Sequence, residues 1–520
     1  MHIIKKVKLH NFKRFKDYCI EFDEKLNLLI GDNESGKSSI LSAIDLVLSG
    51  STNKVKTLGL EELFNAEVVD NFLKSNKHYK DLPQLYVEIY LNEQNNHQLN
   101  GKYNSDGIIT DGLVMQCKPN DEVSNEISDI LNQTELNFPF EYYIISFKTF
   151  EGTSYTSYKK FLSHIIIDNS QISSEYAIKE YVHKMYLAHA TGVERSKYQN
   201  EYRKHKREFT EDVLANLNCK ITDYSFAVKN TSKANIETDL TLTQNSIYIE
   251  NKGKGTQCFI KTEFALNKAS DDLNVILLEE PENHLSHVNM KKLINKIISM
   301  QDKQLILTSH NSLISARLDL RKAILLNSNN DTTPATLKDT SEQTAKFFIK
   351  APDNNILEFV LAKKVILVEG NAEYMLIEAM YEKIKLSKPA DDNVHIISVG
   401  GISFKHYLNI AKILKIKTAV IRDNDKDCQS NCVDNYSNYV TNEIKVFFDL
   451  DNSNNTFEVC IYKNNAKICD DLFKADRKRL SVQDYMLRRK TEVAFKLLEN
   501  KINDIVIPDY IQEAIKWISN

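Results

Sequence analysis

Leu26-Asn27-Leu28-Leu29-Ile30-Gly31-Asp32-Asn33-Glu34-Ser35-Gly36-Lys37-Ser38-Ser39-Ile40-Leu41 is the stretch on which the fold of this chain turns. An apolar run ends at Gly31, the pattern G-x-x-x-x-G-K-S follows, and Ile40, Leu41, Ile44, Val47 and Leu48 then recur at helical spacing. Strand, loop and helix in that order are the context a phosphate-binding loop needs. The glycines let backbone N–H groups wrap the phosphates, and the helix N-terminus adds a favourable dipole. Gly31, Asn33, Gly36, Lys37, Ser38 and Ser39 form the expected nucleotide-binding set, with Lys37 on the β- and γ-phosphates and the Ser38 hydroxyl on Mg²⁺.

Far downstream, Val275-Ile276-Leu277-Leu278-Glu279-Glu280-Pro281 reads as a buried strand delivering two acids to its carboxyl end, where open α/β sheets bind ligands. Glu279 is expected on the magnesium side, and Glu280 is expected to orient or deprotonate the attacking water. Leu305-Ile306-Leu307-Thr308-Ser309-His310 is a further strand ending in a histidine, whose place after the acidic strand suits a γ-phosphate sensor. The first hundred residues otherwise alternate as strands do, with one clear helix after Gly36. From Tyr176 to Asn218 charged, helix-favouring sequence takes over, with Tyr198, Tyr202, Phe209, Val213, Leu214 and Leu217 at helical spacing. Strand patterns return around 239–249 and 274–278, and a helix is expected over 290–300.

After Lys350 a second strand–helix alternation begins: Val365–Val368, a helix, His395–Val399, a helix, then Thr418–Ile421. It implies a parallel sheet with right-handed crossovers. The first of these strands ends in Glu369, and Glu373 follows one turn into the next helix. The third ends in Arg422-Asp423-Asn424-Asp425. Hard carboxylate ligands at this density suit Mg²⁺ or Mn²⁺.

Composition sets the remaining bounds. A chain of 520 residues should hold two or three domains. Its eight cysteines are scattered and read as reduced thiols, not as a disulfide framework; Cys428, Cys432, Cys460 and Cys469 lack the spacing of the common zinc ribbons. No run of about 18 apolar residues is present, so no membrane span is expected, and with no signal-peptide core the expected location is the cytoplasm. The net charge of −4 does not advertise nucleic-acid binding. Basic runs at 203–207, 477–479 and 488–490 are either solvated helix faces or phosphate tracks.

The phosphate loop, the acidic strand and the opening Lys8-Leu9-His10-Asn11-Phe12-Lys13-Arg14-Phe15 together resemble the ABC ATPase superfamily in its SMC-like and OLD-type branch. That resemblance implies a nucleotide sandwiched between two heads, with a signature loop for which Gly253, Gly255 and Gln257 are the candidates. Lys254 stands between the two glycines, so the usual serine is missing, and Glu279 stands where the superfamily generally has Asp. The second alternation resembles a Toprim domain, and Ser398-Val399-Gly400-Gly401 resembles that family's glycine-bearing strand end. Thr456-Phe457-Glu458 and Arg489-Lys490-Thr491 are similar to later positions of the OLD family.

The resemblance spans nearly the whole chain and implies an α/β protein. Residues 1–350 would form an ABC-type ATPase head with a helical, dimerising insertion at about 150–218, and residues 351–520 a Toprim domain with C-terminal helices. It further implies that Glu369, Glu373, Asp423, Asp425 and Glu458 hold one or two metals, and that Lys490 stabilises charge on a scissile phosphate. The implied function is an ATP-hydrolysing, two-metal endonuclease acting on DNA in anti-phage defence, as a homodimer or higher even oligomer. A helicase or reverse-transcriptase partner is implied for some members. Two alternatives stay open: the same architecture acting on RNA such as tRNA, and an ATP-driven DNA-binding or sensor protein whose Toprim domain is structural.

Overall fold

The structure is a computed structural model that describes residues 2–132, 137–168, 182–220 apart from 184 and 188, 225–229, 235–267, 273–299, 303–326, 332–351, 355–401, 403–475 and 479–520. Residues 169–181 of the expected insertion, 327–331 of the expected loop, and Arg477 and Lys478 of one basic run lie outside them. Two compact units result. The first comprises Met1–Leu29, Asn33–Ser309 and Ser328–Pro334, the second Ile30–Asp32, His310–Asn327 and Ala335–Asn520.

In the first unit β1 (Ile4–Phe12) and β2 (Phe15–Glu21) open the chain, and β3 (Leu26–Gly31) leads into the phosphate loop. There follow β4 (Leu85–Leu91), β5 (Asn100–Gly101), β6 (Thr110–Pro119), β7 (Tyr143–Thr149) and β8 (His164–Asp168). An antiparallel sheet runs β2-β1-β4-β6, with β5 and β7 both paired to β6. Its register sets Val7 against Ile89 and Leu9 against Val87, so the alternate apolar residues of β1 and β4 bury together. Two short strands, β9 (Thr243–Gln244) and β10 (Ile247–Tyr248), form a hairpin, and β11 (Val275–Glu279) and β12 (Gln304–Ser309) complete the unit. A second sheet orders β3-β12-β11-β8, with β11 parallel to both its neighbours. Val275 to Leu278 have no solvent exposure, as an unbroken apolar run in a strand covered on both faces requires.

Three local expectations are corrected here. The helix after Gly36 is followed by three more, Thr52–Leu58, Leu60–Leu63 and Ala66–Lys74. Ser51 and Asn65 start two of them by accepting the N–H of Lys54 and of Val68, a capping signal that alternation alone conceals. The insertion does not begin at 150, because β8 pairs with β11 inside the parallel sheet. The stretch 239–249 is not a single strand. Asn245 and Ser246 both take positive φ, 53° and 61°, and fold it into the β9–β10 hairpin.

Within the insertion the helix Gly192–Glu208 starts from a Thr191/Glu194 capping box and buries none of its residues. Tyr198, Phe209, Val213 and Leu217 are exposed.

The second unit contains the antiparallel pair β13 (Ala323–Leu326) and β14 (Ala335–Thr336). It also holds a parallel sheet of β15 (Lys364–Val368), β16 (Val394–Ser398), β17 (Lys417–Ile421) and β18 (Ile444–Phe447), ordered β16-β15-β17-β18. Helices Asn371–Lys385 and Phe404–Leu414 make the crossovers. Ala372, Leu376, Ile377, Met380 and Tyr381 of the first join Val493, Ala494, Leu497, Ile511 and Ile515 of the C-terminal helices in one core. Helix Glu342–Lys350 belongs to this unit, so the expected boundary at 350 falls too late. Phe347 stacks on His406 at 4.2 Å, and Thr344 shares a 3.2 Å hydrogen bond with the same ring. Among the described residues, no helix is long and apolar enough to cross a membrane.

Candidate active site

Helix Lys37–Ser49 begins directly at the lysine of the phosphate loop. Gly36 precedes it with φ 93°, and a Cβ there would meet the Phe15 ring at 2.4 Å. Glycine is therefore required both by backbone conformation and by space. Lys37 is buried, Ser38 is exposed, and Asn33 lies exposed in the loop that leaves Gly31, the last residue of β3. Ser38 hydrogen-bonds Glu279, whose carboxyl is pushed up chiefly by burial and, less strongly, by the charges of Asp168 and Glu280. Ser38 and Glu279, the two residues expected around the magnesium of the nucleotide, are thus neighbours.

Glu280 follows with a left-handed φ of 42°. Its N–H donates to Thr308 Oγ1 at 3.1 Å, and Asn283 Nδ2 donates to its Oε2 at 2.8 Å. Thr308, Asn283 and Asp168 were not singled out in the sequence. The signal was there for the first two, which lie in the same short stretches as His310 and Glu280. Asp168 sits opposite Glu279 only because of the β8–β11 register. His310 is exposed and follows directly on β12.

Gly253 and Gly255 stand at the start of helix Lys254–Asn267. Gln257 is buried, and its Nε2 donates to the carbonyls of Glu250, at 3.2 Å, and Lys252, at 2.7 Å. It braces its own loop. A Cβ on Gly255 would lie 2.1 Å from the His284 carbonyl oxygen, a backbone atom that cannot swing aside. Gly255→Ala is expected to cost about 2–3 kcal/mol of stability through that overlap, measured by denaturant unfolding. An unchanged midpoint and slope would show that the helix start yields freely.

In the second unit the β15 residues Val365 to Val368 are wholly buried, and Glu369 emerges at the strand end. The N–H of Val399 donates to Val368 O at 2.9 Å, and that of Gly401 to Glu369 O at 3.1 Å, which ties the glycine-bearing end of β16 beside this acid. Glu373 is buried in the first turn of its helix, its carboxylate accepting from its own N–H. Glu458 is buried in the first turn of helix Phe457–Asn464, which Thr456 caps. Lys490 begins helix Lys490–Lys501, and its Nζ stands 2.9 Å from Glu458 Oε2 as an ion pair. Its ammonium serves Oε2, and Glu458 Oε1 is buried with no hydrogen-bond partner among the described residues.

Asp423 Oδ1 accepts from the N–H of Phe457 at 2.8 Å. Its carboxyl is pushed up to about 8, first by burial and then by the charges of Glu373, Glu369 and Glu458, with Lys490 opposing. Glu373 is raised for the same reasons, burial first and Glu458 and Glu369 after it. Glu373 and Asp423 therefore both feel Glu369, Glu458 and Lys490, which brings four of the five expected metal ligands together.

Asp425 is held differently, with φ 49° and an exposed carboxylate bonded to Arg422. Arg422, which sequence reasoning passed over, also pairs with Glu369. Among the described residues, no three His, Cys, Asp or Glu side chains stand as a ready-made metal cage. All eight cysteines are free thiols; Cys432 donates to Asp423 O at 3.5 Å and Cys460 to Asn454 O at 3.4 Å.

The raised Asp423 pKa has a consequence for stability. An unfolded aspartate titrates near 4, so between about pH 4 and 8 the folded chain binds a proton that the unfolded chain does not. EDTA-treated protein should lose stability as pH rises through that window, by on the order of a few kcal/mol, and Asp423→Asn should flatten the loss. Parallel pH–stability curves for the two proteins would contradict the clustered-charge account.

The AAA ATPase domain model matches residues 1–314, and the model for the Toprim domain of overcoming lysogenization defect (OLD) protein-like chains matches 360–425. The chain belongs to the AAA ATPase domain family, with an OLD-like Toprim domain. This ATPase–Toprim chain is 35% identical over 71 residues to the DNA replication and repair protein RecF of Clostridium kluyveri, a match covering 14% of this chain and 19% of RecF. It therefore spans only a small part of that relative's length. The ATP/GTP phosphatase of Helicobacter pylori is 23% identical over 388 residues, covering 68% of this chain and 94% of that protein. The C-terminal region of the Burkholderia pseudomallei OLD protein aligns at 19% identity and a TM-score of 0.27, covering 30% of this chain and 97% of that one.

Proposed function

We propose that this chain is an ATP-dependent endonuclease that cleaves DNA with divalent metal, in defence against phage. The observation that carries the reading is the carboxylate cluster of the second unit. Glu373 and Glu458 are buried with Asp423 beside them, and Lys490 is paired with Oε2 of Glu458 while its Oε1 receives no hydrogen bond. Buried like charges of this kind are costly unless a cation joins them. The donor set is all oxygen, which fits Mg²⁺ or Mn²⁺. Glu373, Asp423 and Glu458 would hold the ion, with Glu369 and Asp425 as further ligands. When bound, such ions supply an activated water and a stabilised leaving oxygen.

The chain's own residues do the rest. Lys490, half exposed beside Glu458, offers a fixed positive charge to a phosphate oxygen. The Phe457 N–H keeps Asp423 Oδ1 from swinging away. In the first unit Lys37 binds the nucleotide phosphates, the Ser38–Glu279 pair holds the Mg²⁺ of the nucleotide, and Glu280 positions water. His310 is proposed as the γ-phosphate sensor, and Gly253 and Gly255 as the signature-loop contacts.

The experiment that tests this reading incubates purified protein with supercoiled DNA, linear DNA and tRNA, each with Mg²⁺ or Mn²⁺, with and without ATP. Cleavage of tRNA alone would transfer the proposal to RNA. No cleavage of any substrate would favour the sensor reading. Expression in cells challenged with phage, with or without neighbouring genes for a helicase or reverse transcriptase, tests the defence role.

A single phosphate loop and the exposed row Tyr198, Phe209, Val213 and Leu217 support a homodimer or higher even assembly through the first unit. Light scattering at micromolar concentration should show it. A monomer both with and without ATP would remove this part of the proposal.

A further inference from the structure

Arg422 makes contacts that the proposed cleavage does not call for. It lies between Ile421, the last residue of β17, and Asp423. Its Nη1 donates to Glu369 Oε2, and its Nη2 donates to Asp425 Oδ2 at 2.9 Å. The side chain is only 12% exposed, so solvent screens the pairs weakly. Its Nε is buried with no acceptor among the described residues, and the Phe404 ring centroid lies 5.8 Å from the guanidinium carbon. One permanent cation thus joins carboxylates from two strand ends, that of β15 and the turn after β17. Arginine does not deprotonate in this setting, so the arrangement persists at any working pH.

We infer that Arg422 is an internal counter-ion of the carboxylate cluster, occupying Glu369 and Asp425 until a divalent cation takes them from it. The inference rests on the reading of that cluster as a metal centre. With Lys490 beside Glu458 and Arg422 on Glu369 and Asp425, two side-chain cations share five acids when no metal is bound. A divalent ion drawing on all five acids must break two charge-assisted hydrogen bonds. Its apparent affinity falls by the fraction of molecules in which the arginine has let go. A purely structural arginine predicts the opposite sign. In that case its loss would leave Glu369 and Asp425 repelling each other and misplaced, and metal would bind more weakly.

The test measures Mn²⁺ binding by the EPR signal of the free ion, on full-length, EDTA-stripped, nucleotide-free protein. The variants are Arg422→Gln and Arg422→Lys, and Glu369→Gln identifies which bound Mn²⁺ belongs to the cluster. Arg422→Gln should bind Mn²⁺ about tenfold more tightly than the parent. Its melting temperature should fall without metal and recover with Mn²⁺. Arg422→Lys, which keeps the charge but cannot fork between two acids, should tighten binding by about threefold. Should Arg422→Gln fail to fold, the lysine variant decides the matter alone. Unchanged or weaker Mn²⁺ binding in the variants overturns the inference. Mn²⁺ binding that Glu369→Gln leaves untouched, or none in the parent, overturns the metal-centre reading beneath it.

Discussion

Glu369→Ala protein should lose phosphodiester cleavage by about 10³-fold or more while its ATP hydrolysis stays within a few-fold of the parent. The same outcome is expected of Asp423→Ala combined with Asp425→Ala. Glu369 closes β15 in the second unit, whereas Lys37, Ser38, Glu279 and Glu280 lie in the first. The two centres therefore draw on separate ligands. Removing a carboxylate from the cluster takes away several kcal/mol of transition-state stabilisation, which sets the thousandfold scale. Asp423→Asn is the gentler control, because its remaining oxygen can still accept from Phe457 N–H. Full nuclease activity in Glu369→Ala, or complete loss of ATPase activity with the fold intact, would sink the two-centre model.

Much of the fold and of the candidate site's placement is legible in the sequence, for physical reasons that differ from element to element. The phosphate loop could be read because its flanks agree with it: β3 is apolar, and the next helix buries Ile40, Leu41, Ile44, Val47 and Leu48. The parallel sheet of the second unit was legible from β15 and β17, whose continuous apolar runs each end in acids. What escaped depended on register and on contacts distant in sequence. Nothing local says that β8 joins β11 and sets Asp168 beside Glu279. Arg422 gives no local signal of its role, because its partner Glu369 lies 53 residues away. Asn424, between Asp423 and Asp425, carries no local signal of its role. Its buried amide donates to the carbonyls of Asp449 and Asp451, at 2.8 and 3.0 Å, and so fixes the loop that leads to Glu458. Gln257 fitted a contact motif, and here its amide braces the backbone of its own loop.

Glu280→Gln should keep ATP binding and lower turnover by about 10²-fold or more, whereas Lys37→Ala should abolish tight binding. The geometry separates the two roles. Lys37 is buried at the first residue of its helix, where the loop glycines present backbone N–H groups. Losing its ammonium removes the main side-chain cation from the phosphates. Glu280 sits one residue past the strand, in a left-handed conformation held by Thr308 at its N–H and Asn283 at its carboxylate. Two fixed contacts aim a group whose task is to orient water, and an amide of the same shape keeps both while losing the basic oxygen. Binding is read by fluorescent nucleotide titration and turnover by phosphate release. Thr308→Val, which deletes the acceptor for the Glu280 N–H, should reduce turnover with little change in nucleotide affinity, because it loosens the aim and leaves the charge in place. Normal turnover in Glu280→Gln would remove Glu280 from the chemistry, and the next candidate would be Glu279, one residue earlier and already bonded to Ser38.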